Sequence, residues 1–206
     1  MDTSELARRI KKYEAVPKNV LMRRTPVIMR LDGRAFHTFS RNFVKPFDEV
    51  LMKAMQDTMK YLCENIQGCV LGYTQSDEIT LVLTDYKKFT SEPWFDYEVQ
   101  KMCSIAAGMA TLEFNRKMQM YSRTYADTAS DEKEEKQAEI YAKAASNGAM
   151  FDCRVFNLPK EEVANNLYWR QLDAMRNSIQ MLGQANFRHK ELQHKNCRQI
   201  KEMLLT

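Results

Sequence analysis

The chain reads as an α+β protein. The expected core is a ferredoxin-like domain, a βαββαβ antiparallel sheet with helices on one face, followed by C-terminal helices. Three observations predict this. Short runs of strand formers recur at 26–31 (PVIMRL), 69–73 (CVLGY), 79–83 (ITLVL) and 151–158 (FDCRVFNL). Longer stretches with helical spacing of apolar residues separate the first run from the second and the third from the fourth. Only TQSDE lies between the second and third runs, the length of a hairpin connection.

Residues 4–13 predict a short helix that ends ahead of Pro17. The run 26–31 is a buried strand ending at Asp32 and Gly33, where glycine permits a tight turn and a close approach to a ligand. Residues 34–43 are expected as a loop or short turn. A helix follows, with Pro46 near its start and Asp48 and Glu49 in its first turn. Val50, Leu51, Ala54, Met55, Met59 and Leu62 mark its apolar face, and Gly68 follows its end. A second long helix is expected over 94–115, with Ala106, Ala107, Gly108 and Ala110 allowing close packing on the sheet. Residues 121–148 are polar and charge-rich, which fits an exposed helical insertion or a mobile loop. Pro159, Glu161 and Glu162 open a third long helix reaching 186, and a last helix covers 190–205.

Composition narrows the class. The 44% hydrophobic and 10% aromatic content of these 206 residues suits a folded domain. No run of about 18 apolar residues is present, so no membrane span is expected. The polar, basic N-terminus lacks the apolar core of a signal peptide, which points to a cytoplasmic protein. Five scattered cysteines without a CxxC pair suggest neither a zinc knuckle nor a disulfide framework. Residues 1–45 hold eleven Lys/Arg against four Asp/Glu, a balance suited to a polyphosphate or nucleic-acid backbone or to a solvated helix face.

The informative residues are Asp32 and Asp77, each at the end of a strand run. In the βαββαβ order the first strand and the hairpin are neighbours, so the two carboxylates can meet despite their separation in sequence. Such a pair, with the Gly33 carbonyl, can hold two Mg²⁺ ions for phosphoryl transfer. The amides of Arg34, Ala35, Phe36 and His37 could cradle phosphate oxygens. Lys45, Lys101 and Arg34 could neutralise phosphate charge, and Ser76 could bond a phosphate or cap the turn. Taken singly, each aspartate could equally be a turn residue.

At these residues a family resemblance is visible. DGRAFHTFSRNFVKPFDEVL, QGCVLGYTQSDEITLVL and FDCRVFNLP with the later WRQ resemble the tRNA-histidine guanylyltransferase family and its Thg1-like branch of reverse, 3′→5′ polymerases. The resemblance implies a palm catalytic domain over 1–158, including the 121–148 insertion. It leaves 159–206 as a helical part packing on the palm or in an oligomer interface. It implies Asp32, Gly33 and Asp77 as Mg²⁺ ligands, and Asp32–His37, Ser76, Asp77 and Lys101 as nucleotide contacts. It also implies that Lys45 acts in activation of the 5′ phosphate and that Glu78 completes the catalytic SDE motif, either in the chemistry or with its side chain turned away in a structural role. The implied reaction consumes ATP and GTP or other NTPs at a tRNA 5′ end, and the implied assembly is a homotetramer.

One departure shifts the expected substrate. Eukaryotic members that modify tRNA-histidine carry HINxLYN after WRQ. Here Met175 stands at the histidine position and Gln180 at the tyrosine position, while Asn177 is kept. This resembles relatives that repair 5′-truncated tRNA on a template, with a dedicated tRNA-histidine enzyme as the alternative. Another palm activity, such as a nucleotide cyclase or forward polymerase, keeps the same acids. A non-catalytic RNA-binding module is disfavoured because the strand 26–31 has no aromatic residue for base stacking.

Overall fold

The computed structural model describes residues 4–205. Residues 1–3 and 206, which the expected domain spans include, lie outside them. Helix α1 (Glu5–Ala15) is capped by Ser4, whose hydroxyl accepts from the Ala7 amide. Strand β1 (Val27–Gly33) leads into a short helical turn, α2 (Phe36–Phe39), where a loop or turn is expected. Helix α3 (Glu49–Asn65) starts at an Asp48 cap, and the hairpin β2 (Cys69–Gln75) and β3 (Glu78–Leu83) follows.

The four strands form one antiparallel sheet in the order β2-β3-β1-β4, with β4 spanning Phe151–Asn157. Alternation along the strands sorts the two faces. Val27, Met29, Leu31, Ile79, Leu81 and Leu83 belong to the main core. There they meet α3 and α4 (Val99–Thr128), whose buried residues include Ala54, Leu62, Met102, Ala106, Ala110 and Phe114. The buried residues of α4 recur four apart, so Ala106 and Ala110 face the core while Gly108 faces open space.

The other face carries Ile28, Arg30 and Asp32 on β1 beside Val82, Thr80 and Glu78 on β3. Helix α6 (Glu162–Asn186) covers part of it. Arg170 of α6 bonds Glu78, and the Arg30 guanidinium lies 5.7 Å from the centre of the Trp169 ring. Helices are thus present on both faces, because α6 brings a buried arginine to an acid on the second one.

Three further segments differ from expectation. The long helix starts at Val99 rather than Trp94: Trp94–Tyr97 is a short 3₁₀ turn in which Phe95, Asp96 and Tyr97 have left-handed backbone, with φ of 51°, 52° and 58°. Each costs about 1–2 kcal/mol, offset here by the burial of Tyr97 and by the Leu21 amide on its carbonyl at 3.0 Å. Residues 121–148 form the end of α4 and helix α5 (Glu132–Asn147), which packs back on α4 and buries Ala138, Tyr141, Ala144 and Ala145. Its charges line the outer side only. The last helix is two, α7 (His189–Leu192) and α8 (Cys197–Leu205). Asn196 and Gln199 exchange side-chain bonds to each other's amides, a reciprocal cap that restarts the helix. A Cβ at Gly183 would lie 2.6 Å from Ile200 Cγ2, so glycine lets α8 approach α6.

Candidate active site

Asp32 sits opposite Glu78 in the β1–β3 register, one residue from Asp77 at the hairpin tip. The tip is held against β1 directly: the Gly33 amide donates to the Asp77 carbonyl at 3.0 Å. Ser76 takes φ 49°, a left-handed value suited to a tight hairpin. Gly33 is required for packing rather than for its backbone angles. A Cβ there would lie 2.2 Å from the Phe36 ring.

Asp32, Ser76, Asp77, Glu78, Arg170, Asp173 and Asn177 line a cavity of about 220 Å³ together with Gln75. Burial pushes the Asp77 carboxyl above its usual value, and the negative charges of Asp32 and Glu78 add to the shift. A backbone bond and the Ser76 hydroxyl oppose it. Arg154 offers Asp32 weak compensation, with Nη2 3.9 Å from Oδ2 and half of the side chain in solvent. Two carboxylates crowded with too little positive charge, and an all-oxygen donor set, fit a hard divalent cation. Among the described residues no group of three or more His, Cys, Asp or Glu is arranged to hold a metal. The fit therefore rests on the aspartate pair, the nearby backbone carbonyls and a ligand's own oxygens.

Glu78, which completes the SDE motif, is held in a structural contact. Both carboxylate oxygens accept from Arg170, at 2.7 Å from Nε and 2.5 Å from Nη2, and Oε1 also accepts from Thr80. The residue is only 7% exposed. Desolvation disfavours the Arg170 charge, but the bonds to Glu78 and Asp173 outweigh it. Glu78 therefore anchors α6 through both of its carboxylate oxygens. Arg170, missed in the sequence as its partner, had one signal: an arginine in the middle of an amphipathic helix needs an acid if it faces inward.

A second cavity, about 360 Å³, adjoins the first and shares Gln75, Ser76 and Asn177 with it. Phe43, Val44, Lys45, Pro46, Leu51, Met52 and Met181 are among its lining residues. The structure thus places Lys45 and Ser76 on the walls of one cavity. The loop carrying Lys45 is fixed by Asp48, which accepts from the amides of Val44 and Leu51, both at 2.9 Å, and from the Tyr141 hydroxyl at 2.6 Å. Burial and the Asp48 bond together raise the Tyr141 pKa.

The remaining expected contacts divide. Arg34 and His37 are exposed and do not line the cavity that holds Asp32, and the Arg34 amide is spent on the Met150 carbonyl at 2.8 Å. Ala35 adopts φ 55°, and Phe36 is 4% exposed among Phe39, Phe114 and Phe151, so its ring is core and only its backbone can meet a ligand. Lys101 is not brought to the pair within one chain. It lies in the first turn of α4, at the sheet end where Val27 pairs with Leu83, and its Nζ sits 5.0 Å from the centre of the Phe95 ring.

The profile of the family described as "Thg1: tRNAHis guanylyltransferase" matches residues 7–159. A solved bacterial tRNA(His) guanylyltransferase (Thg1)-like protein in complex with ATP is 41% identical, with a TM-score of 0.83 over 98% of this chain and 79% of that one. One in complex with GTP is 42% identical, with a TM-score of 0.74 over 89% of this chain and 78% of that one. The probable tRNA(His) guanylyltransferase of Homo sapiens is 30% identical over 156 residues, which is 74% of this chain and 45% of that protein. The chain therefore spans about half the length of that curated relative. With the profile covering most of its length, the chain belongs to the Thg1, tRNAHis guanylyltransferase, family.

Proposed function

We propose that this protein is a metal-dependent nucleotidyltransferase that extends the 5′ end of tRNA in the 3′→5′ direction, acting in template-directed 5′-end repair. One observation carries the reading. Two strand-end aspartates line a small polar cavity that opens onto an apolar one bearing Lys45. A polyphosphate and a base need that pairing of environments. Family membership and the ATP- and GTP-bound relatives support nucleotides as substrates. The strand order β2-β3-β1-β4, antiparallel throughout, supports the ferredoxin-like palm assignment.

In the first step an oxygen of the tRNA 5′-monophosphate attacks the α-phosphorus of ATP, and pyrophosphate leaves. In the second, the 3′-hydroxyl of GTP or another NTP attacks the activated 5′ phosphorus, and AMP leaves. Asp32, Asp77 and the Gly33 carbonyl would hold the Mg²⁺ ions, which when bound withdraw charge from phosphoryl oxygens and lower the pKa of the attacking hydroxyl. Lys45 and Arg34 neutralise phosphate charge, and Ser76 bonds a phosphate oxygen. Lys101 enters only if a second copy presents it.

Met175 and Gln180 favour repair over a dedicated tRNA-histidine role. Met175 is 53% exposed on α6, where a substrate could meet it, and it offers no imidazole. Residues 1–158 act as the catalytic part and 159–206 as a helical support docked through Arg170. Exposed apolar side chains on α1 (Leu6, Ile10, Tyr13) and α6 (Tyr168, Leu172) support a homotetramer. No helix of the described residues is long and apolar enough to cross a membrane, and a cytoplasmic site of action is part of the proposal.

Incubation with 5′-truncated tRNA, Mg²⁺, ATP and NTPs tests the reading. Extension is expected from the wild type and not from Asp32→Ala or Asp77→Ala. No extension by wild type, or undiminished extension by both variants, overturns it.

A further inference from the structure

We propose that Asn177 is a specificity-determining residue whose side-chain amide reads a ribose hydroxyl of the bound nucleoside triphosphate. The inference rests on the nucleotide-site reading above and deepens it. Helix α6 is fixed in rotation by the bonds from Arg170 to Glu78 at 2.7 and 2.5 Å. Asn177 follows Arg170 by seven residues, two helical turns, and so projects from the same side of α6. That side faces both cavities, and Asn177 lines each of them.

The two cavities differ in chemistry. One presents Asp32 and Asp77, and the other presents Phe43, Leu51 and Met181. A nucleotide with phosphates at the acids and its base against the apolar lining has its sugar at the junction. Gln75 and Ser76 of the hairpin bound that junction from below, and Asn177 bounds it from α6.

Of the polar side chains of α6 that line the acidic cavity, Arg170 and Asp173 are already committed. Asp173 accepts from Arg170 at 3.1 Å and from Arg176. The Asn177 side chain makes no hydrogen bond within the described residues, and the residue is exposed at the cavity edge. Its amide holds one acceptor and two donors, and a ribose hydroxyl is both donor and acceptor. A side chain with that valence left open, between a phosphate site and a base site, complements the sugar edge.

Calorimetric titration of the full chain with ATP, 2′-deoxy-ATP and 3′-deoxy-ATP in the presence of Mg²⁺ tests this. The wild type is expected to bind ATP about tenfold more tightly than at least one deoxy analogue, the size of one neutral hydrogen bond. Asn177→Ala is expected to bind all three alike, with an unchanged thermal midpoint because the residue is exposed. Equal binding of the three by the wild type overturns the proposal, as does discrimination that survives in Asn177→Ala. Absence of binding by any nucleotide to either protein overturns the nucleotide-site reading itself, a separate failure from the loss of sugar discrimination.

Discussion

Arg170 grips Glu78 across 92 residues of sequence with two hydrogen bonds, Nε to Oε1 at 2.7 Å and Nη2 to Oε2 at 2.5 Å. The pair is buried and lies one residue from Asp77. It ties α6 to the end of the sheet where both aspartates sit, and so couples the helical part to the site. Arg170→Ala leaves a buried carboxylate without its partner, which costs about 3–5 kcal/mol. Chemical denaturation is expected to show that loss. Glu78→Gln combined with Arg170→Met should recover most of it, because neither buried charge remains. An unchanged midpoint for Arg170→Ala would contradict the anchoring role.

Asp77 links pH to stability. Its folded-state pKa is raised above 3.8, chiefly by burial, so the fold favours the protonated acid. That contribution is complete below the unfolded value and is lost as pH rises through the folded one. At neutral pH the charged Asp77 therefore weighs against the metal-free fold. Asp77→Asn should raise Tm at pH about 7 by roughly 2 °C or more while abolishing activity. The gain should shrink as pH falls through the raised folded-state value, where the wild-type acid takes up its proton. Scanning fluorimetry across that range checks the sign. A Tm lower than wild type throughout would contradict it.

Magnesium should act on the same group with the opposite sign. Ligand binding to the folded state stabilises it in proportion to the logarithm of ligand concentration. Adding Mg²⁺ with ATP is expected to raise the wild-type Tm and to leave Asp32→Ala and Asp77→Asn nearly unmoved. Equal shifts in all three proteins would place the cation elsewhere.

Tyr141 positions the Lys45 loop from a distance. Its hydroxyl completes the three donors on Asp48, the residue that caps α3 and holds the Val44 amide. Tyr141→Phe removes one donor and should cost about 1–2 kcal/mol. Activation of a 5′-monophosphate end should fall several-fold, while extension of a 5′-triphosphate end, which needs no activation, should fall less. Equal losses on both substrates would argue for a general structural effect.

Gly33 has no room for a side chain. A Cβ would meet Phe36 Cδ2 at 2.2 Å, and that ring is locked among Phe39, Phe114 and Phe151. Gly33→Ala is expected to destabilise the chain by about 1–3 kcal/mol, as overpacking does, and to displace Asp32 next to it. Thermal denaturation and the extension assay together check this; full activity would show that Phe36 yields easily.

The sequence by itself determined the four strands, the hairpin pairing of the second with the third, and the two aspartates at the strand ends. Those features are written in short runs: PVIMRL before Asp32, ITLVL after Asp77, and too few residues between the second and third strands for anything but a hairpin. Alternation and turn chemistry act over a few residues, so they survive in a linear reading. Tertiary structure alone decided the partners that depend on how whole elements rotate against one another. Glu78 looked catalytic beside Asp77, yet α6 turns Arg170 onto it. Lys101 looked like a phosphate contact, yet α4 begins at the far end of the sheet. The charged segment 121–148 looked like an exposed insertion or a mobile loop, yet Tyr141 on its inward face reaches Asp48 across 93 residues. The Arg170–Glu78 and Tyr141–Asp48 contacts rest on a buried polar group finding its complement at long range, and only the packed fold specifies which complement is within reach.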